Sequence, residues 1–190
     1  MTDWNAFKGF HERQVPMSAE EERRAAEANR LRGEIELLLD LENINFLDRS
    51  PVVGGINAIA APMEITTEER DGAITVIGRV TFGSAYEGPP HCVHGGVIAM
   101  YFDELLGVTQ STSGNPGMTA NLSLNFHAPT PIGVALVFTG RIDRMEGRKI
   151  FTHGTLHHGD VLCASADALF ISMRPDVFER ILKVRDAASG

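Results

Sequence analysis

Gly88-Pro89-Pro90-His91-Cys92-Val93-His94-Gly95-Gly96, followed without a break by Val97-Ile98-Ala99-Met100-Tyr101-Phe102-Asp103-Glu104-Leu105-Leu106-Gly107-Val108, is the stretch that decides the fold. A rigid Gly/Pro loop closes on two glycines, and a long apolar run starts straight after them. The run is too long for an ordinary strand, holds no proline, and stops at Ser111-Thr112-Ser113-Gly114-Asn115-Pro116-Gly117. It is expected to form a helix that is hydrophobic nearly all round and therefore buried. The glycines put bare N–H groups at its N-terminus, where the first donors lack helical partners and the dipole is positive. Asp103, with Glu104 beside it, then interrupts the apolar surface, and carboxylates are rarely buried unless paired or in use. A set of donors and a carboxylate on one helix make a candidate active site.

A chain of 190 residues, 43% hydrophobic and 22% charged, is long enough for one sizeable core. The net charge of −8 excludes a nucleic-acid surface, because phosphate binding needs a clustered positive field. The two cysteines, Cys92 and Cys163, form no disulfide framework, which favours a reducing compartment. Met1-Thr2-Asp3-Trp4-Asn5 lacks a basic and apolar leader, and no stretch approaches a membrane span. A cytoplasmic protein with no membrane partner is expected.

Upstream, Ser18-Ala19-Glu20-Glu21 is a capping box opening a segment rich in helix formers that runs to about Asp40. Residues 1–47 are therefore expected to be an N-terminal helical extension. Pro51, Gly54 and Gly55 mark a connection, and the segment ending Met63-Glu64-Ile65-Thr66 reads as a strand that Pro62 places at an edge. Asp71-Gly72 predicts a hairpin turn into a second strand, where Ile74, Val76, Val80 and Phe82 alternate with polar residues. Downstream of the helix, residues 119–128, 134–143, 149–157 and 161–173 predict a four-stranded antiparallel meander. In the first of these, Ala120, Leu122, Leu124 and Phe126 fall on one face and Thr119, Asn121, Ser123 and Asn125 on the other. Val177, Phe178, Ile181 and Leu182 suggest a short helix in the tail, residues 176–190. One helix between early and late strands means α+β. A curved antiparallel sheet wrapped around a single central helix is the hotdog architecture, expected over residues 48–175.

Val93-His94-Gly95-Gly96, with Asp103 nine positions after the histidine, resembles the His-Gly-Gly signature of hotdog thioesterases, specifically the PaaI-like acyl-CoA thioesterases. Ser50-Pro51-Val52-Val53-Gly54, Tyr86-Glu87-Gly88-Pro89-Pro90, Phe126 with Ala128-Pro129, and Gly147-Arg148-Lys149 fit the same frame over roughly residues 48–173. The resemblance implies hydrolysis of acyl-CoA thioesters without a cofactor. It implies a carboxylate at Asp103 acting as nucleophile or general base, and a glycine N–H, matched by Gly95 with Gly96 close by, polarising the carbonyl. A hydroxyl matched by Thr119 would orient the attacking water. One departure stands out: many members carry Asn or Gln where this chain has Gly88.

Thioester hydrolysis needs an activated nucleophile and donors aimed at the developing oxyanion. Gly95 and Gly96 supply donors with no side chain in the way; their structural alternative is a tight turn into the helix. A carboxyl among apolar side chains keeps its proton to higher pH, which suits a base working near neutrality. Asp103 is the preferred base. Glu104, about 100° further round the helix, is expected to point away from that pocket. His94 serves to fix the loop or to bond substrate; with His91 it offers two imidazoles in a Pro/Gly loop without further ligands, so no metal is expected. Gly88, Pro90, Glu104, Asn121, Arg148 and Lys149 are the candidate substrate contacts, the two basic residues as partners for CoA phosphates. A hotdog dehydratase would need a catalytic His with a separate helical Glu, a set not found here. The alternative is a hotdog protein that binds acyl groups without turnover, with Gly88 marking lost catalysis.

Gly95 precedes Asp103 by eight residues, so roughly 12 Å of helix separates them. Donor and attacking group must both lie about 3 Å from one carbonyl. Two antiparallel copies of the helix about a two-fold axis bring Gly95 of one to Asp103 of the other. A homodimer, or a dimer of dimers, with the active site at the subunit interface is expected.

Overall fold

The structure, a computed structural model, describes residues 50–54, 61–70, 72–115 and 117–174, with isolated positions in the terminal segments. The chain divides into two compact units, Met1–Asn45 and Phe46–Gly190, and the elements that follow belong to the second. The helix expected over residues 18–40 and the one expected beyond Pro175 lie outside the described residues, apart from those isolated positions.

Strands β1 (Glu64–Arg70) and β2 (Ala73–Thr81) form the expected hairpin through Gly72, whose φ of 74° suits a turn. The quoted apolar run forms helix α1 (Gly95–Ser111). Four strands follow: β3 (Gly117–Phe126), β4 (Ala135–Glu146), β5 (Lys149–His158) and β6 (Val161–Ser172). They build one six-stranded antiparallel sheet in the order β1-β2-β4-β5-β6-β3. Only β4, β5 and β6 make a meander. The four-stranded version is corrected: β3 does not pair β4 but crosses to the far side of β6. Pairing β2 with β4 uses the β4 edge that β3 would need. β3 therefore becomes one edge of the sheet and β1 the other.

α1 lies across the sheet and touches β2, β3, β4, β5 and β6. Its buried residues Ile98, Tyr101, Phe102, Leu105, Leu106 and Thr109 recur at helical spacing and define one face. Beneath that face runs the cross-strand row Val76, Gly140, Gly154, Ala166 and Leu124. A Cβ on Gly140 would strike Thr109 Oγ1, and one on Gly154 would come 3.1 Å from Leu106 and 3.3 Å from Phe102. Small residues in the row thus let the helix sink onto the sheet. Tyr101 packs edge-on against Phe82 at 4.6 Å, and Phe102 against Phe138 at 5.0 Å. Such aromatic pairs contribute about 1 kcal/mol each beyond the area they bury. Tyr101 Oη also donates to the Ala61 carbonyl at 2.6 Å, pinning the chain that leads into β1.

The helix is not buried all round, which corrects the sequence reading. Met100 and Asp103 are exposed, and Val97, Glu104, Gly107 and Val108 are half-buried. The apolar run encodes two faces, of which the described residues cover one.

Candidate active site

The loop before α1 is held by backbone bonds: Gly88 N–H donates to the Cys92 carbonyl, Cys92 N–H to Pro89, and His94 N–H to Tyr86. Pro90 stands exposed at its tip, beside His91 at a φ of 60°, whose N–H donates to the Glu87 carboxylate. His94 is the N-cap of α1, and its Nδ1 accepts the Gly96 N–H at 3.0 Å. In a neutral imidazole with Nδ1 accepting, the proton sits on Nε2. The ring lies between two glycines: an added Cβ on Gly96 would be 3.1 Å from Nδ1, and one on Gly88 would be 2.8 Å from His94 Cα.

The structure separates the two glycine donors. The Gly96 N–H is taken by His94, whereas the Gly95 N–H has no partner among the described residues. It points from the positive end of a helix. The Phe126 ring stands beside it, 3.3 Å from where a Gly95 Cβ would be. Phe126, exposed at the end of β3, belongs to the family frame read from sequence but was given no role at the site; position in a strand carries no hint of a ring against a helix start.

Further along α1, Asp103 Oδ1 accepts a hydrogen bond from Thr119 Oγ1 at 2.8 Å. Strict alternation puts Thr119 on the face opposite Leu122 and Leu124. A bulge between Thr119 and Asn121 changes that: Thr119 pairs with buried Phe170 and Leu122 with buried Ala168, so both face the helix. Asn121 pairs with Leu169 and Ser123 with exposed Asp167, so both turn to the outer face of the sheet. The structure therefore joins Thr119 to Asp103 and keeps Asn121 away from them.

Asp103 and Thr119 line a groove of about 540 Å³ with Gly107, Val108, Met118 and Phe170. Asp103 is exposed, so the expected apolar burial does not apply to it in the single chain. Glu104 lines the same groove, which corrects the expectation that it points elsewhere. The groove takes in Asp103, Glu104, Gly107 and Val108 of α1 together, a wider arc than the 100° between neighbours. Burial raises the Glu104 pKa above the usual glutamate value; the Ser50 hydroxyl opposes this by hydrogen bonding, and the Asp103 charge adds to it.

Arg148 is engaged by backbone: its Nε and Nη2 donate to the Ser172 carbonyl at 2.9 and 2.7 Å. It ties the β4–β5 hairpin to the end of β6. Lys149 pairs with Ile171 at that same end of the sheet. Cys92 and Cys163 are both free thiols.

A helix-wrapping sheet with a motif loop at the helix start and a carboxylate–hydroxyl pair on its open face is the architecture of a hotdog protein. The family description "Thioesterase superfamily" matches residues 91–164. A thioesterase-superfamily protein of known crystal structure is 34% identical, with a TM-score of 0.67 over 88% of this chain and 90% of its own. The chain belongs to the thioesterase superfamily. Acyl-coenzyme A thioesterase THEM4 of Xenopus laevis is 36% identical over 95 residues, 49% of this chain and 43% of that protein. The chain thus spans less than half the length of the curated relatives it matches. A Streptococcus mutans protein crystallised with acetyl-CoA shares the fold, with 18% identity and a TM-score of 0.53 over 58% of this chain and 88% of that one.

Proposed function

We propose that this chain hydrolyses acyl-CoA thioesters to free acid and thiol, as a PaaI-like thioesterase. The observation that carries the reading is the 2.8 Å bond from Thr119 Oγ1 to Asp103 Oδ1. It joins residues sixteen apart in sequence and holds a carboxylate on the open face of a helix whose start presents a free N–H. Asp103 takes a proton from water, or attacks directly; Thr119 fixes the carboxylate that does so. The Gly95 N–H receives the negative charge that develops on the carbonyl oxygen. The name of the THEM4 relatives supports CoA as the thiol carrier.

The unit of activity is a homodimer. Gly95 contacts Phe126 at one end of β3, and Asp103 contacts Thr119 near its other end. β3 is a ten-residue edge strand bearing exposed Met118 and Phe126. An unpaired edge of that length invites another strand. Antiparallel pairing of two β3 edges about a two-fold axis brings the Phe126–Gly95 end of one copy to the Thr119–Asp103 end of the other. Two such dimers pairing into a tetramer would leave these sites intact. Free Cys92 and Cys163 fit a cytoplasmic setting.

A panel of acyl-CoAs, followed by release of free thiol, tests the activity. Turnover by the parent chain and its loss in Asp103→Asn are expected. Tight acyl-CoA binding without thiol release would instead favour a non-catalytic acyl-binding protein.

A further inference from the structure

α1 carries a glycine that neither the helix nor the sheet beneath it requires. Glycine is the least favourable residue in a helix interior after proline. Gly140 and Gly154 have a packing reason, since a Cβ on either collides with the helix. Gly107 has none: a Cβ built there meets no atom within 4 Å. It stands four residues after Asp103, one turn along the same helix face. Both line the groove, whose apolar wall is Val108, Met118, Phe170 and Met173, with Gln110 and Ser111 at its far end on α1.

We propose that Gly107 sets the size of an acyl channel in this groove, and that the channel takes a flexible aliphatic chain. This rests on the hydrolase reading above. The groove runs from Asp103 to Ser111 along α1, roughly 12 Å at 1.5 Å per residue. Its polar end holds the Asp103–Thr119 pair, where the thioester carbonyl must sit. The acyl tail then lies along the apolar wall, over Gly107 and against Val108, Met118 and Met173. Met118 and Met173 are unbranched and polarisable, and adapt to a chain of variable shape better than rigid walls do. A side chain at position 107 would project into this path, so its absence keeps the channel open.

The test is kcat/KM for butyryl-CoA and dodecanoyl-CoA with the parent chain, Gly107→Ala and Gly107→Leu, with molecular mass by light scattering. In the parent, each added methylene should favour the substrate by about fourfold while the channel lasts. Gly107→Leu should lower the dodecanoyl-to-butyryl ratio by about tenfold or more, with Gly107→Ala between. An unchanged ratio, or an equal fall for both substrates, would overturn the proposal. A lowered ratio with loss of the dimer would overturn it too, assigning the glycine to close approach of a second copy. If the parent hydrolyses no acyl-CoA, the hydrolase reading fails by itself. Calorimetric binding of a non-hydrolysable dodecanoyl-CoA thioether to parent and Gly107→Leu then still decides the channel, equal affinity counting against it.

Discussion

Gly88 and His94 compete for one volume: a Cβ on Gly88 would lie 2.8 Å from His94 Cα and 3.1 Å from its Cδ2. The first of these contacts is with backbone, so a side chain at 88 cannot be accommodated by a rotamer change alone. The family resemblance implies an amide at the matching position, but here Gly88→Asn should not restore one. It should displace His94 and release the Gly96 N–H from its cap. Overpacking and a lost cap each cost about 1–2 kcal/mol. A lower Tm together with a lower kcat is expected for Gly88→Asn and for Gly88→Ala; a gain of activity in Gly88→Asn would refute the shared-volume account.

The two carboxylates of the groove should behave differently. Asp103→Asn should reduce kcat by about a thousandfold, because an amide is neither base nor nucleophile. Glu104→Gln should leave most turnover and change stability in a pH-dependent way. Burial holds the Glu104 carboxyl above its ordinary 4.5 in the folded chain. Its contribution is thus fully present below pH 4.5 and lost as pH rises through the raised folded value. Glutamine does not titrate, so Glu104→Gln should match the parent Tm near pH 4 and exceed it at pH 7. A Tm difference that is flat with pH would remove the burial explanation.

Thr119→Ala should slow hydrolysis by about ten- to a hundredfold, the loss of one positioning hydrogen bond. Ser123→Ala should not, since Ser123 pairs with Asp167 on the outer face. Damage from Ser123→Ala with none from Thr119→Ala would mean that the bulge is misplaced.

That bulge marks where sequence reasoning stops. Period-two alternation is accurate for Leu122 and Leu124, but nothing in Thr119-Ala120-Asn121 announces an extra residue. A family likeness selected Thr119, while the strand pattern alone turned it away from the helix. The helix itself was legible from its length and its Gly/Pro entry. Its open face was not, because apolar residues on an open face and on a core face read alike in sequence. The order of β3 and β4 was hidden for another reason: alternation identifies strands but not their neighbours. Gly96 illustrates a further limit, since only coordinates show that His94 uses its N–H.

Gly95→Pro isolates the remaining donor. His94 is the N-cap, so Gly95 is the first helical residue, where proline is well tolerated. His94 has φ −62° and ψ 133°, the extended conformation that a following proline requires. The substitution therefore deletes the free N–H while keeping the helix. A drop in kcat of about a hundredfold or more with preserved far-UV circular dichroism is expected. Retained kcat would take Gly95 out of the reaction.

The same variant decides whether the site is shared between subunits. About 12 Å of helix separates Gly95 from Asp103 within one chain, too far for both to reach one carbonyl. Mixing Asp103→Asn chains with Gly95→Pro chains gives three dimers after subunit exchange. Both homodimers are dead. The heterodimer joins an intact Gly95 from the first chain to an intact Asp103 from the second at one of its two sites. Random exchange at equal amounts makes half the dimers mixed, so about one quarter of the parent sites should return. Activity should rise from near zero toward that fraction as exchange proceeds, and native mass spectrometry should follow the mixed dimer in step. Mixed dimers that accumulate without activity would place Gly95 and Asp103 of one chain in the same site, against the geometry of α1.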